Sequence, residues 1–247
     1  MKFKEKFTSP QPSDIEQGEA QTETDIDLEN ALDTERKFVC QLIDDGEGRT
    51  VAESLINRIS KVNHRVIAQK LFDAGYGLSL LDNLDKFSGL NSQEIAFKFI
   101  EAGAGWAVAD NLDKFPEADR RPIALKIIDS GQSWALDGHL DKIPDLDQDI
   151  ALKLIEAGNG VLVLNNLDRF SGLDDDTIID KLIEAHEGWT LANHLDQFSA
   201  AKRKAIALKL IKAHEGEAVA KNLDKFSDAD RKKIEHQLND IKSDTAK

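Results

Sequence analysis

The sequence predicts an all-α fold: an α-solenoid of stacked two-helix units. Three observations carry this. A Leu-Asp pair returns at Leu84-Asp85, Leu112-Asp113, Leu140-Asp141, Leu167-Asp168, Leu195-Asp196 and Leu223-Asp224, in steps of 28, 28, 27, 28 and 28 residues. Self-similarity at a fixed period marks a repeat array, in which each unit leans on its neighbours. Between the pairs, apolar residues recur three and four apart, as one face of a helix requires. Glycines (Gly103, Gly131 and Gly158) stand where such helices need a left-handed C-terminal residue.

The elements follow in order. Residues 1–30 form an acidic tail. From Ser9 to Thr24 it lacks aromatics and apolar periodicity, a composition that does not offset ordering entropy, so disorder is expected. Helix is expected to begin near Asp25 to Asp33. About seven hairpin units then span residues 31–241. The first is degenerate: Phe38 to Gly48, then Val51 to Ile59, keeps the apolar spacing and both glycines but has no Leu-Asp pair.

In each later unit the first helix is read from segments such as Ile95–Gly103, Ile123–Gly131 and Ile150–Gly158. His186 and His214 take the glycine position in later units and tolerate it less well. The second helix is read from Gly105 to Phe115 as about three turns. Val108, Leu112 and Phe115 face inward, and Trp106, Asp110 and Asp113 face outward. Pro122 inside a helix would cost about 3 kcal/mol. With Asp119 as N-cap it falls in the first turn instead. The one short step is placed in the linker Pro144-Asp145-Leu146. Asp230 to Ile241 reads as a C-terminal capping helix with the stripe Ile234, Leu238 and Ile241, and 242–247 as a frayed end.

Two helices of about ten residues cannot bury their apolar faces alone, but stacked they share one core. The period is shorter than the ~34 residues of tetratricopeptide, ~33 of ankyrin or ~40 of HEAT repeats, and their signatures are missing. Over about residues 38–241 the chain resembles the broad class of helical-hairpin solenoids, without matching a named family. By that analogy the superhelix is right-handed.

Composition narrows the function. With 46 acidic and 32 basic residues the net charge is −14, which opposes indiscriminate binding to phosphate backbones. Lys202-Arg203-Lys204 and Arg231-Lys232-Lys233, one period apart, form either a basic edge or a solvated loop face. Cys40 is the only cysteine, so neither an intrachain disulfide nor a cysteine-rich zinc site is expected. No apolar run approaches the ~18 residues of a membrane span, and Met1 to Pro10 is no secretory signal. A cytoplasmic protein without membrane contact is the default expectation.

Three registers invite a functional reading. The residue before each Leu-Asp pair (Asn83, Asn111, His139, Asn166, His194, Asn222) lies at the core edge and needs partners. These side chains are expected to bond to one another or to the backbone of the adjoining unit, or else to line a groove. The aspartates of the pairs sit near helix C-termini, where the dipole disfavours acid. Lys70, Lys98, Lys126, Lys153, Lys181 and Lys209, which recur on the first helix, are their expected partners. The third register varies while the scaffold does not: Leu78/Asp82, Trp106/Asp110, Trp134/Gly138, Val161/Asn165, Trp189/Asn193 and Glu217/Lys221. All three tryptophans of the chain fall here. Either they are exposed anchors of a binding surface, or each packs over the next hairpin.

Catalytic signatures are missing. The six histidines show no zinc-protease spacing, and there is no phosphate-loop, dinucleotide or nucleophile-elbow motif. Gly103-Ala-Gly105 and Gly158-Asn-Gly160 read as helix caps. No enzyme activity, cofactor or metal is expected. The leading expectation is a non-catalytic scaffold for a protein or peptide. Trp106, Trp134 and Trp189 would be the anchors, with Asp82, Asp110, Asn165 and Asn193 as polar selectors. The alternative is a single-stranded nucleic-acid binder that stacks bases on the tryptophans and uses the basic C-terminal edge. A third reading makes the array a spacer for a functional acidic tail.

Overall fold

The computed structural model describes residues 23–245. The described chain is all-helical and forms no strand. A single bridge joins Asp147 to Ser171. Helix α1 (Glu23–Leu42) leads into wide helical turns at Ile43–Glu47 and Val51–Leu55, with α2 (Gly48–Thr50) between them. Then follow α3 (His64–Asp73) and α4 (Gly77–Asp82), α5 (Ser92–Glu101) and α6 (Gly105–Asp110), α7 (Glu117–Asp129), α8 (Gln148–Glu156) and α9 (Gly160–Leu164), α10 (Asp175–Glu184) and α11 (Gly188–Asn193), α12 (Ala200–Lys212) and α13 (Gly216–Ala220), and α14 (Asp228–Thr245). First helices of successive units touch, as in α1 with α3, α5 with α7, α8 with α10 and α12 with α14. Second helices do the same, as in α4 with α6, α9 with α11 and α11 with α13. One apolar core runs through these contacts, from Val39 to Leu238.

The first helices end as the sequence implies. Gly103 has φ +82°, its N–H bonds Ile100 O at 3.0 Å, and Ala104 N–H bonds Phe99 O at 2.8 Å. This is a Schellman closure, which satisfies two of the last carbonyls. His186 (φ +58°) and His214 (φ +63°) close their helices with the same two bonds. A side chain there bears the left-handed strain that glycine avoids.

Several expectations are corrected. The second helix is not three continuous turns. Helix α6 stops at Asp110, Asn111 departs from helical angles (φ −99°, ψ 16°), and Leu112–Lys114 is a separate tight turn. The break lets the Asn111 amide reach back to its own helix. Helix α7 starts at Glu117 behind an extended Pro116, so Asp119 is not the cap and Pro122 lies inside the helix. Asp119 N–H bonds Pro116 O at 2.9 Å, while its carboxylate accepts from Ser92 Oγ of the preceding unit at 2.6 Å. Helix α1 begins at Glu23, so residues 23–30 are helical; the rest of the expected disordered tail, 1–22, lies outside the described residues. At the other end α14 runs to Thr245, past the expected frayed start at 242. The expected third member of its stripe, Ile241, lies outside the described side chains; Ile234 and Leu238 are buried.

The paired glycines divide their work. Gly103 ends a helix, whereas Gly105 begins one, so it is not a cap. A Cβ on Gly105 would stand 2.8 Å from Gln132 Oε1, which accepts the Gly105 N–H at 2.8 Å. Gly160 donates likewise to Glu187 Oε1 at 2.8 Å. A side chain from the next unit thus takes the place of a Cβ and satisfies a donor at the helix start.

Ion pairing also follows the stacking. Lys126 pairs with Glu101 at 2.7 Å, not with Asp113, and Lys70, Lys153, Lys181 and Lys209 reach Asp44, Asp129, Glu156 and Asp180 of the preceding unit at 2.5 to 3.1 Å. Lys98 differs: it meets Glu94 of its own helix at 3.4 Å and Gln69 Oε1 at 2.7 Å. The expected pairing of these lysines with the Leu-Asp aspartates, such as Lys126 with Asp113, is therefore not made. Equivalent helices lie side by side, so a side chain meets the neighbouring unit before it meets its own second helix. Two of the aspartates find other lysines: Asp113 meets Lys142 at 3.3 Å, and Asp196 meets Lys225 at 3.1 Å. These lysines also bond the last carbonyl of the preceding second helix, Lys142 to Asp110 O at 2.9 Å and Lys225 to Asn193 O at 2.5 Å. Lys114 serves Asp82 O in the same way at 2.5 Å. A cation there suits the negative pole of the helix.

Candidate functional site

The ladder residues bond backward along their own helix. Asn83, Asn111, Asn166 and Asn222 donate to the carbonyls of Ser79, Ala107, Leu162 and Ala218 at 2.9 to 3.1 Å. Four ladder residues also reach a side chain of the preceding unit. Asn222 donates to Asn193 Oδ1 at 3.1 Å, His194 Nε2 meets Asn165 Oδ1 at 2.9 Å, His139 Nε2 meets Asp110 Oδ1 at 3.0 Å, and Asn111 meets Asp82 Oδ1 at 3.5 Å. The ladder thus does not bond to itself or to the adjoining backbone, as expected. It bonds one residue off register, because stacking offsets each unit against the last. Asp82, Asp110, Asn165 and Asn193 are exposed and hold these rungs together.

The aromatic partners of that register are open to solvent. Trp106 is 43 %, Trp134 60 % and Trp189 48 % exposed, and Leu78 (49 %) and Val161 (44 %) occupy the same register. Of the two readings of the tryptophans, this exposure favours the open anchor, while the covered part of each ring still packs on the chain. Five successive units each present a large apolar side chain, and Glu217 ends the run. Among the described residues the one cation–π contact is Lys126 over Phe97 at 5.4 Å, so no cation of the chain covers a tryptophan.

The unit at 133–142 departs from the others. Its second segment is a tight turn, Ser133–Leu136, in place of an α-helix, and Asp137 leaves it extended (φ −62°, ψ 126°). Gly138 has φ +79° where its equivalents are Asp, Asn or Lys. With the helix broken, His139 Nδ1 has no i−4 carbonyl to bond and is left buried without a partner. Gly138 also offers no rung to Asn166. The irregularity continues at the short linker, where Asp145 has φ +52° and Arg121 holds Asp145 O at 2.6 Å and Asp147 at 3.0 Å. Beside this break lies a shallow cleft of about 450 Å³, lined by Trp106, Asp110, Trp134, Ala135, Asp137 and His139. Sequence reasoning missed Asp137. The only signal was Gly138 beside it, which breaks the pattern of the polar site.

The basic clusters are largely engaged. Lys202 pairs with Asp175 at 2.8 Å and Lys204 with Asp230 at 3.0 Å. Arg203 donates to Phe198 O and Lys225 O, and Arg231 to Leu223 O, at 2.9 to 3.1 Å. Among the described residues no group of His, Cys, Asp and Glu has the geometry to hold a metal, and no helix is long and apolar enough to cross a membrane. No family model, no curated protein and no solved structure matches this chain. Function must therefore be argued from the geometry of the site itself.

Proposed function

We propose that the chain is an α-solenoid that binds a peptide, or an extended segment of a partner protein, along its second helices. The observation that carries this is the exposure of Trp106, Trp134 and Trp189 at one register. Tryptophan is the residue type most enriched among the side chains that dominate binding energy. A folded chain gains nothing from holding three of them in water. Rungs tie second segments to their neighbours where they occur, as at Asp110 with His139 and Asn193 with Asn222. A pre-ordered surface lowers the entropic cost of association. In this reading the scaffold performs no chemistry and needs no cofactor. Nucleic-acid binding is disfavoured, since Lys202 and Lys204 are paired with carboxylates and the basic clusters sit on first helices while the tryptophans sit on second segments.

A displayed peptide library selected on the full chain tests this reading. Selected peptides should lose binding to the variant carrying Trp106→Ala, Trp134→Ala and Trp189→Ala while its circular dichroism stays unchanged. Selected peptides that bind the triple variant as well as the parent would overturn it.

A further inference from the structure

We propose that the cleft between Trp106 and Trp134 receives the cationic side chain of the bound segment, arginine before lysine. This rests on the peptide-binding reading above and adds the chemistry of the occupant.

Two independent features converge there. One is aromatic: the cleft is walled by Trp106 and Trp134, both exposed, and among the described residues no cation occupies their faces. The indole face carries the strongest ring quadrupole of the natural side chains and attracts cations within about 6 Å of the centroid. The other feature is charge. Asp110 and Asp137 line the same cleft, and no Lys or Arg does. The Asp137 carboxylate has no partner among the described residues. The Asp110 carboxylate is held by His139 Nε2 at 3.0 Å, which fixes one oxygen and leaves the other open. Near other helix ends Asp113 is matched with Lys142 and Asp196 with Lys225. In the cleft, two carboxylates face two open indoles with no Lys or Arg in the lining.

The local backbone explains how Asp137 comes to line the cleft. A regular helix would carry residue 137 onward along the helix, as its equivalents are carried in α6 and α11. The tight turn at Ser133–Leu136 and the left-handed Gly138 instead deliver Asp137 to the rim beside Trp134. Departures from a repeat rule at one unit are the expected mark of a site. Arginine fits better than lysine, because a planar guanidinium stacks on an indole while forking to a carboxylate, whereas ammonium is a more strongly hydrated point charge. The walls give apolar contact to the arginine stem.

The test uses the full chain and three labelled peptides of equal length, alternating alanine with arginine, lysine or citrulline, at fixed ionic strength. Citrulline keeps the shape of arginine and removes its charge. The arginine peptide should bind most tightly and the citrulline peptide about tenfold less tightly. Trp134→Ala and Asp137→Asn should each weaken the arginine peptide several-fold. Asp168→Asn, an equal charge change at an exposed aspartate outside the cleft, should leave it unchanged. Equal binding of citrulline and arginine peptides overturns the cation site and leaves the stripe reading standing. Equal losses in Asp168→Asn and Asp137→Asn also overturn it, since the attraction would then be diffuse. If none of the three peptides binds, the cation site is overturned, and the library selection separately decides the stripe.

Discussion

The ring of Phe99 fills the space in which Gly77 would carry a side chain: a Cβ on Gly77 would stand 2.7 Å from Phe99 Cε1. The same relation holds between Gly48 and the ring of Tyr76, where a Cβ would stand 2.1 Å from Cδ2. Glycine at the start of the second helix is thus a docking notch for the unit that follows.

Two glycines of the repeat should therefore respond differently to alanine. Gly103→Ala meets no neighbouring atom within 4 Å but forces φ +82° on a side chain, at a cost of about 1–2 kcal/mol. Gly77→Ala has no left-handed angle to maintain and instead strikes Phe99, an overpacking cost of about 1–3 kcal/mol. Shortening the neighbour with Phe99→Leu should recover part of the Gly77→Ala loss and none of the Gly103→Ala loss. Urea unfolding of the single and double variants reads this. Equal recovery in both would refute the division of roles.

The Leu-Asp period, the apolar spacing and the terminal glycines made the helical pairs legible, because each is set by contacts inside one unit. What was hidden lies between units. Nothing in the sequence near Lys126 separates Asp113 from Glu101 as its partner; only the side-by-side placement of α5 and α7 does. Likewise Asp110 read as a free selector, since the offset that brings His139 to it appears only on stacking. The break of the second helix at Asn111 was missed because its apolar pattern (Val108, Leu112, Phe115) also suits an unbroken helix. The tryptophans could be placed in one register, but their exposure could not be decided from sequence.

Asn222 is buried and bonds both Ala218 O and Asn193 Oδ1. Asn222→Ala should cost about 1–3 kcal/mol, because the partners of a lost buried amide lose their compensation. Asn83→Ala removes a single side-chain bond, to Ser79 O at 2.9 Å, and should cost less. Comparing their denaturant midpoints measures what the rung adds. A larger loss at Asn83 would show that rungs do not couple units.

Double-mutant cycles distinguish the ion pairs. Glu101 with Lys126 should give a small positive coupling, up to about 1 kcal/mol because both side chains are partly exposed. Asp113 with Lys126 should give none, and Asp113 with Lys142 should again couple. A measurable Asp113–Lys126 term would contradict the pairing of each first-helix lysine with the preceding first helix.

The three tryptophans should be separable from the core by stability. With Trp134 60 % exposed, Trp134→Ala should cost about 1 kcal/mol or less, unlike the 3–5 kcal/mol typical of a buried aromatic. Leu112, fully buried at the inner face of the same array, should lose about 2–5 kcal/mol on truncation to alanine. Acrylamide should quench the tryptophan emission of the native chain nearly as well as that of the unfolded chain. Strong protection of the native emission would place the rings in the core and end the anchor reading.

Acid should weaken the fold through carboxylates held below their ordinary values. Burial pushes Asp147 up, but the Ile150 N–H and the Arg121 guanidinium outweigh it, so its carboxyl titrates lower in the folded chain. Asp113 is lowered by the same balance, with Lys142 as the chief favourable partner. Glu35 is lowered too: burial opposes this, and the bonds from Asn63 and Ser60 prevail. For a depressed carboxyl the unfolded chain binds the extra proton. The stabilisation is therefore present above about pH 4, and is lost as pH falls through the folded-state value. Urea midpoints should hold steady from pH 7 to about 5 and then drop. Asp147→Asn preserves an acceptor for the helix start but has no proton to take up. Its midpoint should fall below the parent at pH 7 and converge on it at pH 3; parallel curves would remove Asp147 from the acid response.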